Sequence, residues 1–426
     1  MWLIDGTPAL FTDLYELTMA QVYFNKHMQQ TASFEVTVRR LPEHWGYFVM
    51  AGLAEIESYL KAFRFDENDI AYLRSLGAFE TDFLDCLGRF KPQVRLRALP
   101  EGTVFFPHEP VLEVSGLILD AQLLETYILN ILGFSIIEAT LAARTVLAAG
   151  DKPVLDFGLR RCQGPISGLR AARGGQIAGF KATSNVFAAR AFGMPPSGTM
   201  AHSYVQVHDS EEQAFRDFAQ QFGAGAVLLV DTYDAIEGIQ IAAAVAQEML
   251  EVKGIRIRGI RIDSGDLVAL STFAREYFDK QSLDFLKIFV SGDLDEYKIH
   301  DLLAAGAEID GLGIGTRYST ARHAPALEIV YKIVQYNGRD LHKRSPDKVT
   351  RPGRKTIVRA GNSGHYENDS VGPFYPTGPD LLQPFEAGEP METIQRRLAR
   401  ELAALPAPIK AIRNPQTYPV HFAQSQ

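Results

Sequence analysis

The feature that most constrains the fold is an alternation of short apolar runs with helix-length segments from about residue 151 to residue 330. The runs lie at 153–157, 227–230, 257–262, 287–290 and 309–314, with a weaker candidate ending near His202. Such alternation is typical of parallel βα units, because parallel strands need long crossover connections. Repeated units of this kind predict an α/β barrel.

Residues of the kind that bind sugars, phosphates or carboxylates follow these runs. They are Arg160, Arg161, His202, Asp231, Asp263, Gly292 with Asp293, and the glycines of GLGIGT. The C-terminal ends of the strands in an α/β barrel share one face, where active sites are built. The pattern therefore predicts a single active site at that face.

Four arginines lie close together in LDFGLRRCQGPISGLRAARGG: Arg160, Arg161, Arg170 and Arg173. Guanidinium groups bind phosphate or carboxylate through two parallel hydrogen bonds. A solvated basic loop is the alternative. The position directly after a predicted strand, with glycines nearby, favours anion binding.

His202 lies in SGTMAHSY, where small residues let the backbone approach a ligand and the imidazole can act as nucleophile or base. An isolated histidine is more often structural. The neighbouring strand-end residues favour a functional role.

Carboxylates end two of the predicted strands, in VLLVDTYD and IRIDSGDL. Such carboxylates can hold ribose hydroxyls or Mg²⁺, whereas aspartates at this position also commonly cap the following helix. We assign Asp231 and Asp263 to the site, and Asp234 and Asp266 to helix caps.

The last run carries Gly311, Gly313 and Gly315 in IDGLGIGTRYST, before a predicted helix. Backbone N–H groups at a helix N-terminus can cradle phosphate, although tight turns also need glycine. The chain has no GxxxxGK[ST] loop and no well-placed GxGxxG, which disfavours P-loop kinases and dinucleotide dehydrogenases.

Composition narrows the function classes further. A net charge of −8 disfavours nucleic-acid binding, and the distant Cys86 and Cys162 support neither a disulfide framework nor a zinc site. The apolar region 117–149 is interrupted by charged residues, which predicts a buried helix or helix pair rather than a membrane span. Together with an N-terminus unlike a signal peptide, these features predict a cytoplasmic protein.

The regions outside the repeats are predicted to form a second domain. Residues 13–90 show a mixed α/β pattern, and 91–115 show the short strands of an antiparallel sheet. We expect segments at 1–135 and 331–426 to join in one domain and 136–330 to form the barrel.

Seven motifs of the chain resemble those of the nicotinate phosphoribosyltransferase family. They occur in the family's order over about 300 residues: TDLYELTMAQ, DFGLRRCQGP, GFKATSN, GTMAHS, LVDTYD, IRIDSGDL and GLGIGT. The resemblance implies a type II phosphoribosyltransferase, in which an irregular α/β barrel accompanies an α/β sandwich domain built from both chain ends. It also implies a homodimer with shared active sites.

The resemblance also implies an activity. Nicotinate and phosphoribosyl pyrophosphate would give nicotinate mononucleotide and pyrophosphate, as in NAD salvage. Mg²⁺ would assist, and ATP hydrolysis would be coupled through phosphorylation of His202.

Site residues are carried over from the matching motifs. Phe157 would stack on the pyridine ring, Tyr15 would cover it from the partner subunit, and Arg160 and Arg261 would approach the acid or phosphate groups. Asp231 and Asp263 would hold the ribose, with Asp263 an indirect Mg²⁺ ligand. The remaining expected substrate contacts are Ser184, Thr199, Ser203, Gly292, Gly313, Gly315 and Thr316.

Ser184 decides between nicotinate and nicotinamide as the expected substrate. The related nicotinamide enzymes typically carry aspartate at the matching position of GFKATSN, where a carboxylate accepts from the amide and would repel an acid. Serine can donate a hydrogen bond to the acid. Ser184 therefore favours nicotinate.

Other functions are compatible with parts of the sequence. Nicotinamide or quinolinate transfer on the same fold is the nearest, and a non-catalytic nucleotide-binding regulator would need losses at His202, Asp231 or Arg261, which are intact. A metal-dependent barrel hydrolase would need several strand-end histidines. Whether the basic loop 342–355 closes over the site does not follow from the sequence.

Overall fold

The computed structural model describes residues 8–342, 351–362, 364–375, 377–386 and 388–423. The chain divides into two compact units, one formed by residues 1–140 with 324–426 and the other by residues 141–323. Most of the basic loop 342–355, whose closure was in question, lies outside the described residues.

The N-terminal part of the chain mixes helices with short strands. The helices are α1 (Leu14–Asn25), α2 (Leu53–Ala62), α3 (Glu67–Ser75), α4 (Thr81–Leu87), α5 (Ile118–Gln122) and α6 (Glu125–Ala149). The strands are β1 (Thr31–Val38), β2 (Phe48–Val49), β3 (Val94–Ala98), β4 (Val104–Phe105) and β5 (Pro110–Leu117). The predicted antiparallel pairing within 91–115 is confirmed by β3 and β5.

The most apolar segment forms the helix pair α5 and α6. By length and composition alone, Ile118–Ala149 could cross a membrane. In the structure, 72% of its apolar window is buried inside the protein, as expected for a core helix that is apolar all round.

The unit at residues 141–323 is built on a curled parallel sheet. Its strands are β6 (Val154–Asp156), β7 (Ala182–Thr183), β8 (Val227–Leu229), β9 (Gly259–Ile262), β10 (Lys287–Val290) and β11 (Gly311–Ile314). They run in the order β7-β6-β11-β10-β9-β8, and every pair is parallel. This half-barrel confirms the predicted α/β class.

Helices connect the strands of this unit. They are α7 (Pro165–Ala178), α8 (Val186–Phe192), α9 (His202–Gln206), α10 (Glu211–Phe222), α11 (Ala235–Lys253), α12 (Leu267–Lys280), α13 (Glu296–Ala304) and α14 (Thr316–Ser319). Side chains such as Ile260, Val290 and Leu312 are fully buried in the sheet. Five of the predicted apolar runs contain the strands β6, β8, β9, β10 and β11.

The prediction of a strand ending near His202 is wrong. Between α8 and α9 the chain makes only an isolated bridge from Pro196 to Thr183, because the two consecutive prolines there carry no N–H to donate to a ladder. His202 begins α9 instead. The sixth strand is β7, whose two residues are too few to show a pattern in the sequence.

The C-terminal segment adds strands and one helix to the first unit. They are β12 (Ile329–Tyr336), β13 (Arg339–Asp340), β14 (Lys355–Asn362), β15 (His365–Pro373), β16 (Gln383–Pro384), α15 (Met391–Ala404) and β17 (Val420–Phe422). One sheet runs in the order β13-β12-β1-β5-β3-β16, so it is built from both ends of the chain.

Strand β1 is central to that sheet and is buried on both faces. Phe34 stacks on Tyr331 with ring centroids 4.7 Å apart. On the other face Glu35 accepts a hydrogen bond from Lys355 at 2.6 Å, and burial raises the pKa of Glu35 to about 7. Strand β1 thus contacts β12 through an aromatic pair and Lys355 at the start of β14 through a buried ion pair.

Candidate active site

The loops after the parallel strands bring most of the predicted residues to one edge of the sheet. The residues that follow the strands are Phe157 and Arg160 after β6, Ser184 after β7, Asp231 after β8, Asp263 after β9, Gly292 after β10, and Gly315 with Thr316 after β11. Because the strands are parallel, these positions share the C-terminal edge, where α/β proteins bind ligands.

The ring of Phe157 lies directly against the backbone of β11. The backbone N–H of Phe157 donates to the carbonyl of Ile314 at 2.6 Å. A Cβ atom at Gly313 would lie 2.5 Å from both Cδ2 and Cε2 of the Phe157 ring. Gly313 is therefore needed so that the ring can lie this close to the strand, and the half-buried ring forms one wall of the candidate site.

A buried carboxylate that the sequence analysis did not select holds the end of β6. Asp156 accepts hydrogen bonds from the backbone N–H of Gly158 at 2.8 Å and from the hydroxyl of Thr183 at 2.7 Å. Burial raises the pKa of Asp156. The N–H of Ser184 donates to the Asp156 carbonyl at 2.7 Å, so this residue fixes Ser184 relative to Phe157. In the sequence, the available signal was an aspartate inside the otherwise apolar run 153–157.

Arg261 ties β9 to the segment that precedes α9. Its Nη1 donates to Thr199 Oγ1 at 2.8 Å, and its Nη2 donates to the Met200 carbonyl at 3.1 Å. Its Nε is buried without an acceptor among the described residues. Burial lowers the pKa of Arg261, while Asp263 and Asp231 oppose that change. An unpaired N–H of a buried guanidinium is available to an anionic ligand.

The predicted arginine cluster is divided by the structure. Arg160 and Arg161 are exposed in the turn after β6, and Arg160 is close enough to Arg261 to act on its pKa. Arg170 is buried within α7. Arg173 is half-buried and lies 6.0 Å from the Phe192 ring centroid. Arg160 and Arg161 are thus exposed in the turn, whereas Arg170 and Arg173 lie on α7.

His202 is half-buried at the first position of α9. Its Nδ1 lies 3.2 Å from the hydroxyl of Thr232, a partner that the sequence analysis missed. The helix is held against α10 by the hydroxyl of Tyr204, which donates to the Ala214 carbonyl at 3.3 Å. Ser203 follows His202 and is exposed. The contact with Thr232 orients the imidazole through one nitrogen and leaves Nε2 for other chemistry.

Asp231 is hydrogen-bonded to Asp263 and to the residue that follows it. Oδ2 of Asp231 accepts from the N–H of Asp263 at 3.0 Å and from the hydroxyl of Ser264 at 2.6 Å. Oδ1 of Asp231 is buried without a donor among the described residues. Asp263 in turn accepts from the hydroxyl of Ser291. The unsatisfied oxygen of Asp231 is suited to a ligand hydroxyl or a cation.

The assignment of Asp234 and Asp266 to helix caps is confirmed. Asp234 accepts from the N–H of Glu237 at the start of α11, and Asp266 accepts from the first turn of α12. Both aspartates are exposed and satisfy backbone donors that a helix start leaves open.

A further carboxylate near Asp231 escaped the sequence analysis. Glu211, the first residue of α10, is only 8% exposed, and its Oε1 has no donor among the described residues. Burial raises the pKa of Glu211 to about 7, with added repulsion from Glu237, Asp231 and Asp234. No sequence pattern indicates that Glu211 is buried, since an acidic residue at a helix start normally faces solvent.

The turn after β10 requires glycine for two reasons. Gly292 has φ +94°, and a Cβ there would lie 1.8 Å from the carbonyl oxygen of Asp263. Asp293, which follows, is also left-handed with φ +52°. On the neighbouring strand, Gly315 precedes the short helix α14, and Thr316 is exposed at its first position. The two turns lie side by side because β10 and β11 are paired.

The donors present fit a magnesium ion bound mainly through substrate. Among the described residues no group of three or more His, Cys, Asp or Glu side chains could hold a metal ion. Mg²⁺ is commonly bound by one or two carboxylates together with substrate phosphates. The unsatisfied Oδ1 of Asp231, with Asp263 beside it, meets that requirement.

Tyr15 lies in the other unit, near the start of α1. Its side chain is 47% exposed. Burial of its hydroxyl end and the nearby Glu125 and Glu16 raise the pKa of Tyr15 well above its usual range. The phenol is therefore neutral at any physiological pH, and part of the ring faces outwards.

Comparison with known proteins identifies the family. The profile described as the nicotinate phosphoribosyltransferase (NAPRTase) N-terminal domain matches residues 10–133, and the profile of the nicotinate phosphoribosyltransferase (NAPRTase) family matches residues 153–361. A nicotinate phosphoribosyltransferase of Mycobacterium tuberculosis is 45% identical over 366 residues, which cover 85% of this chain and 78% of the relative. The Bacillus subtilis enzyme is 40% identical over 375 residues, covering 86% and 76%.

Solved structures agree with these sequence matches. The crystal structure of human nicotinic acid phosphoribosyltransferase has a TM-score of 0.84 at 28% identity, covering 97% of this chain and 98% of that one. Nicotinate-nucleotide pyrophosphorylase from Pyrococcus furiosus has a TM-score of 0.73 at 25% identity, covering 94% and 97%. Profiles, relatives and fold agree, and this chain therefore belongs to the nicotinate phosphoribosyltransferase family.

Proposed function

We propose that this chain transfers the phosphoribosyl group of phosphoribosyl pyrophosphate to nicotinate, giving nicotinate mononucleotide and pyrophosphate in NAD salvage. The observation that carries the proposal is the buried guanidinium of Arg261, whose Nε has no acceptor in the described part of the chain, with the charge of Arg160 near it. A small aromatic acid and a phosphate ester are ligands that such a positive site would hold. Family membership supports the same choice.

Nicotinate would lie against the ring of Phe157. Stacking on an aromatic ring suits a pyridine, and Ser184 would donate a hydrogen bond to the carboxylate. The ring nitrogen of nicotinate already has a free lone pair, so it can attack C1 of the ribose without a general base. The bond from C1 to pyrophosphate breaks as the new C–N bond forms.

The carboxylates at the ends of β8 and β9 would act on the ribose. Positive charge develops on the sugar as pyrophosphate leaves, and Asp231 and Asp263 would stabilise it and accept from ribose hydroxyls. The glycine turns at Gly292 and Gly315 would present backbone N–H groups to the phosphate groups. Mg²⁺, when bound, neutralises charge on the leaving pyrophosphate.

Coupling to ATP would proceed through His202. The contact between Nδ1 and Thr232 orients the imidazole, and with Nδ1–H donating to the hydroxyl the lone pair of Nε2 would be free. Nε2 would attack the γ-phosphorus of ATP, ADP would leave, and water would later remove the phosphoryl group. Thr199 and Ser203 flank this position in the sequence and would bind the phosphates.

The proposal also includes a homodimer with shared active sites in the cytoplasm. The exposed part of the Tyr15 ring would cover nicotinate in a second copy of the chain. Both cysteines carry free thiols, which fits a reducing compartment.

Substrate choice can be tested by calorimetric titration of nicotinate and nicotinamide in the presence of pyrophosphate and Mg²⁺. We expect the wild type to bind nicotinate more tightly, and Ser184→Asp to lose nicotinate affinity by about tenfold or more, since a carboxylate would face an acid. Ser167→Asp adds the same charge in α7 and should leave the preference unchanged. Equal binding of both compounds by the wild type would exclude the role given to Ser184.

Phosphorylation can be tested with ATP labelled at the γ-phosphate. Wild type and His208→Ala should acquire acid-labile label, whereas His202→Ala should acquire none. Thr232→Val should slow labelling, because the imidazole loses the hydrogen bond that orients it. Undiminished label on His202→Ala would place the phosphoryl group elsewhere.

A further inference from the structure

Arg261 binds the stretch of chain that leads into His202. Its Nη1 donates to Thr199 Oγ1 at 2.8 Å, and its Nη2 donates to the Met200 carbonyl at 3.1 Å. The Thr199 hydroxyl also donates to the Met200 carbonyl, at 3.4 Å. Both acceptors lie within three residues of His202, the first residue of α9. The guanidinium on β9 is thus joined to the chain directly before the candidate phosphohistidine.

This stretch has few backbone attachments of its own. The N–H of Ser197 donates to the Thr183 carbonyl at 2.9 Å, and α9 begins five residues later. Between them, residues 198–201 form neither helix nor strand. None of their backbone N–H groups donates to another backbone group among the described residues. The bonds from Arg261 therefore supply the link to the sheet that this segment does not make through its backbone.

Arg261 is well placed to hold the segment. Its strand lies between β8 and β10, where Arg261 pairs with Leu229 and Phe289. Its carbonyl accepts from the N–H of Val230 at 3.1 Å. Although burial lowers the pKa of Arg261, a guanidinium keeps its charge throughout the physiological range. Since hydrogen bonds from a charged donor are stronger than neutral ones, Thr199 is held firmly to a strand inside the sheet.

His202 is consequently attached to two neighbouring strands. Arg261 of β9 holds the backbone that precedes it, and Thr232 in the loop after β8 contacts its Nδ1 at 3.2 Å. Beside Thr232, Asp231 accepts from the N–H of Asp263 at the end of β9 at 3.0 Å. The first attachment sets the place of the imidazole and the second sets its orientation.

We propose that Thr199 is a positioning residue that acts through Arg261 to place His202 for phosphorylation. This inference rests on the proposed function, in which the γ-phosphoryl group of ATP moves to Nε2 and ADP leaves. Without the Thr199 hydroxyl, Nη1 loses its acceptor and the segment keeps only the bond at Met200. The imidazole then reaches the geometry of attack less often, and the rate falls even at saturating ATP.

The test follows phosphorylation without nicotinate or phosphoribosyl pyrophosphate, so that binding of an acid substrate by Arg261 does not enter. Time courses with ATP labelled at the γ-phosphate give the labelling rate at saturating ATP and the ATP concentration for half the maximal rate. One ADP should appear for each phosphoryl group bound. Thr199→Val and Thr199→Ser are compared with Thr272→Val, which changes a half-buried threonine on α12. Thermal unfolding measures their stability.

We expect Thr199→Val to lower the labelling rate at saturating ATP by about tenfold. Thr199→Ser retains the hydroxyl and should stay within about twofold of the wild type, and Thr272→Val should match the wild type. A direct contact between Thr199 and phosphate would behave differently. Its loss would raise the ATP concentration for half the maximal rate and leave the rate at saturation unchanged.

Arg261→Lys tests whether Thr199 acts through the guanidinium. An ammonium group cannot hold both acceptors, so this variant alone should slow labelling by about tenfold, although no acid substrate is present. Adding Thr199→Val to Arg261→Lys should slow labelling by less than about twofold more, because the bond that Thr199 makes is already lost.

Three results would overturn the inference and leave the proposed phosphorylation standing. They are a wild-type labelling rate in Thr199→Val, a rate in Thr199→Ser as low as in Thr199→Val, and a full tenfold further loss when Thr199→Val is added to Arg261→Lys. A wild type that acquires no label and releases no ADP would instead overturn the proposed phosphorylation itself.

Discussion

Replacing Gly313 with alanine should displace the Phe157 ring and little else. The added Cβ would lie 2.5 Å from two ring carbons and 3.3 Å from Ser291 Cβ. Ordinary contact begins at 3.4 Å, so the ring must retreat by about 1 Å. Gly313 lies inside β11 and does not have a positive φ, so an alanine backbone fits there.

The size of the effect follows from that displacement. A shift of about 1 Å in a substrate-positioning group can reduce the rate by about 100-fold. We therefore expect kcat/KM for nicotinate to fall by about 10- to 100-fold, which is ~1.4–2.8 kcal/mol of transition-state stabilisation. Overpacking in β11 should lower the free energy of unfolding by about 1–3 kcal/mol, which leaves a folded protein.

The assay measures kcat and KM for both substrates together with thermal unfolding. Gly311→Ala is the matched control, because its Cβ would meet the Phe289 ring at 2.7 Å on the same strand. It should lower stability to a similar extent and leave the nicotinate KM unchanged. If Gly313→Ala retained full kcat/KM for nicotinate, Phe157 would not form the pyridine wall.

Three further variants test other parts of the site. Gly292→Ala places Cβ 1.8 Å from the carbonyl oxygen of Asp263 and forces alanine to φ +94°, so chemical denaturation should show a loss above about 3 kcal/mol; wild-type stability would contradict the tight turn. Arg261→Lys keeps the charge but not the planar fork, and kcat/KM should fall by about tenfold in steady-state assays; an unchanged value would contradict its role. Burial raises the pKa of Glu211 to about 7, so its contribution to stability is full below about pH 4.5 and is lost as the pH rises through 7. The free energy of unfolding of Glu211→Gln should exceed that of the wild type by about 1–2 kcal/mol at pH 8.5 and by almost nothing at pH 4.5. The control Glu212→Gln, at an exposed position, should show no such pH dependence. A gain in stability that is independent of pH would exclude titration of Glu211 as its cause.

The strand-end residues could be predicted because two local patterns coincide there. Asp231 and Asp263 each end an apolar run and precede a helix, and parallel strands place their C-terminal ends together without further information. The same reasoning separated them from Asp234 and Asp266, which cap α11 and α12. Fold class and the location of the site therefore follow from short-range periodicity.

The partners of these residues could not be predicted, since they depend on tertiary geometry. Thr232 contacts His202 across 30 residues, and Arg317 contacts Asp293 across 24. Neither pair has a sequence signature. Glu211 resembles an ordinary first-turn acid, and only the packing of α10 buries it.

The pairing of distant strands also could not be predicted from local sequence patterns. Strand β7 has two residues, and Pro196 beside it gives only a bridge. The register of β1 against β12, from Ala32 opposite Tyr336 to Val38 opposite Ile329, joins residues about 300 positions apart. Alternation identifies the strands but not their neighbours.

The central claim is that this chain makes nicotinate mononucleotide, and product formation tests it most directly. The purified protein would be incubated with phosphoribosyl pyrophosphate, Mg²⁺ and ATP, and with either nicotinate or nicotinamide, while mononucleotide and pyrophosphate are measured by chromatography. We predict equal amounts of nicotinate mononucleotide and pyrophosphate, with ATP stimulating the wild type but not His202→Ala. Formation of nicotinamide mononucleotide in preference, or of neither mononucleotide, would contradict the claim.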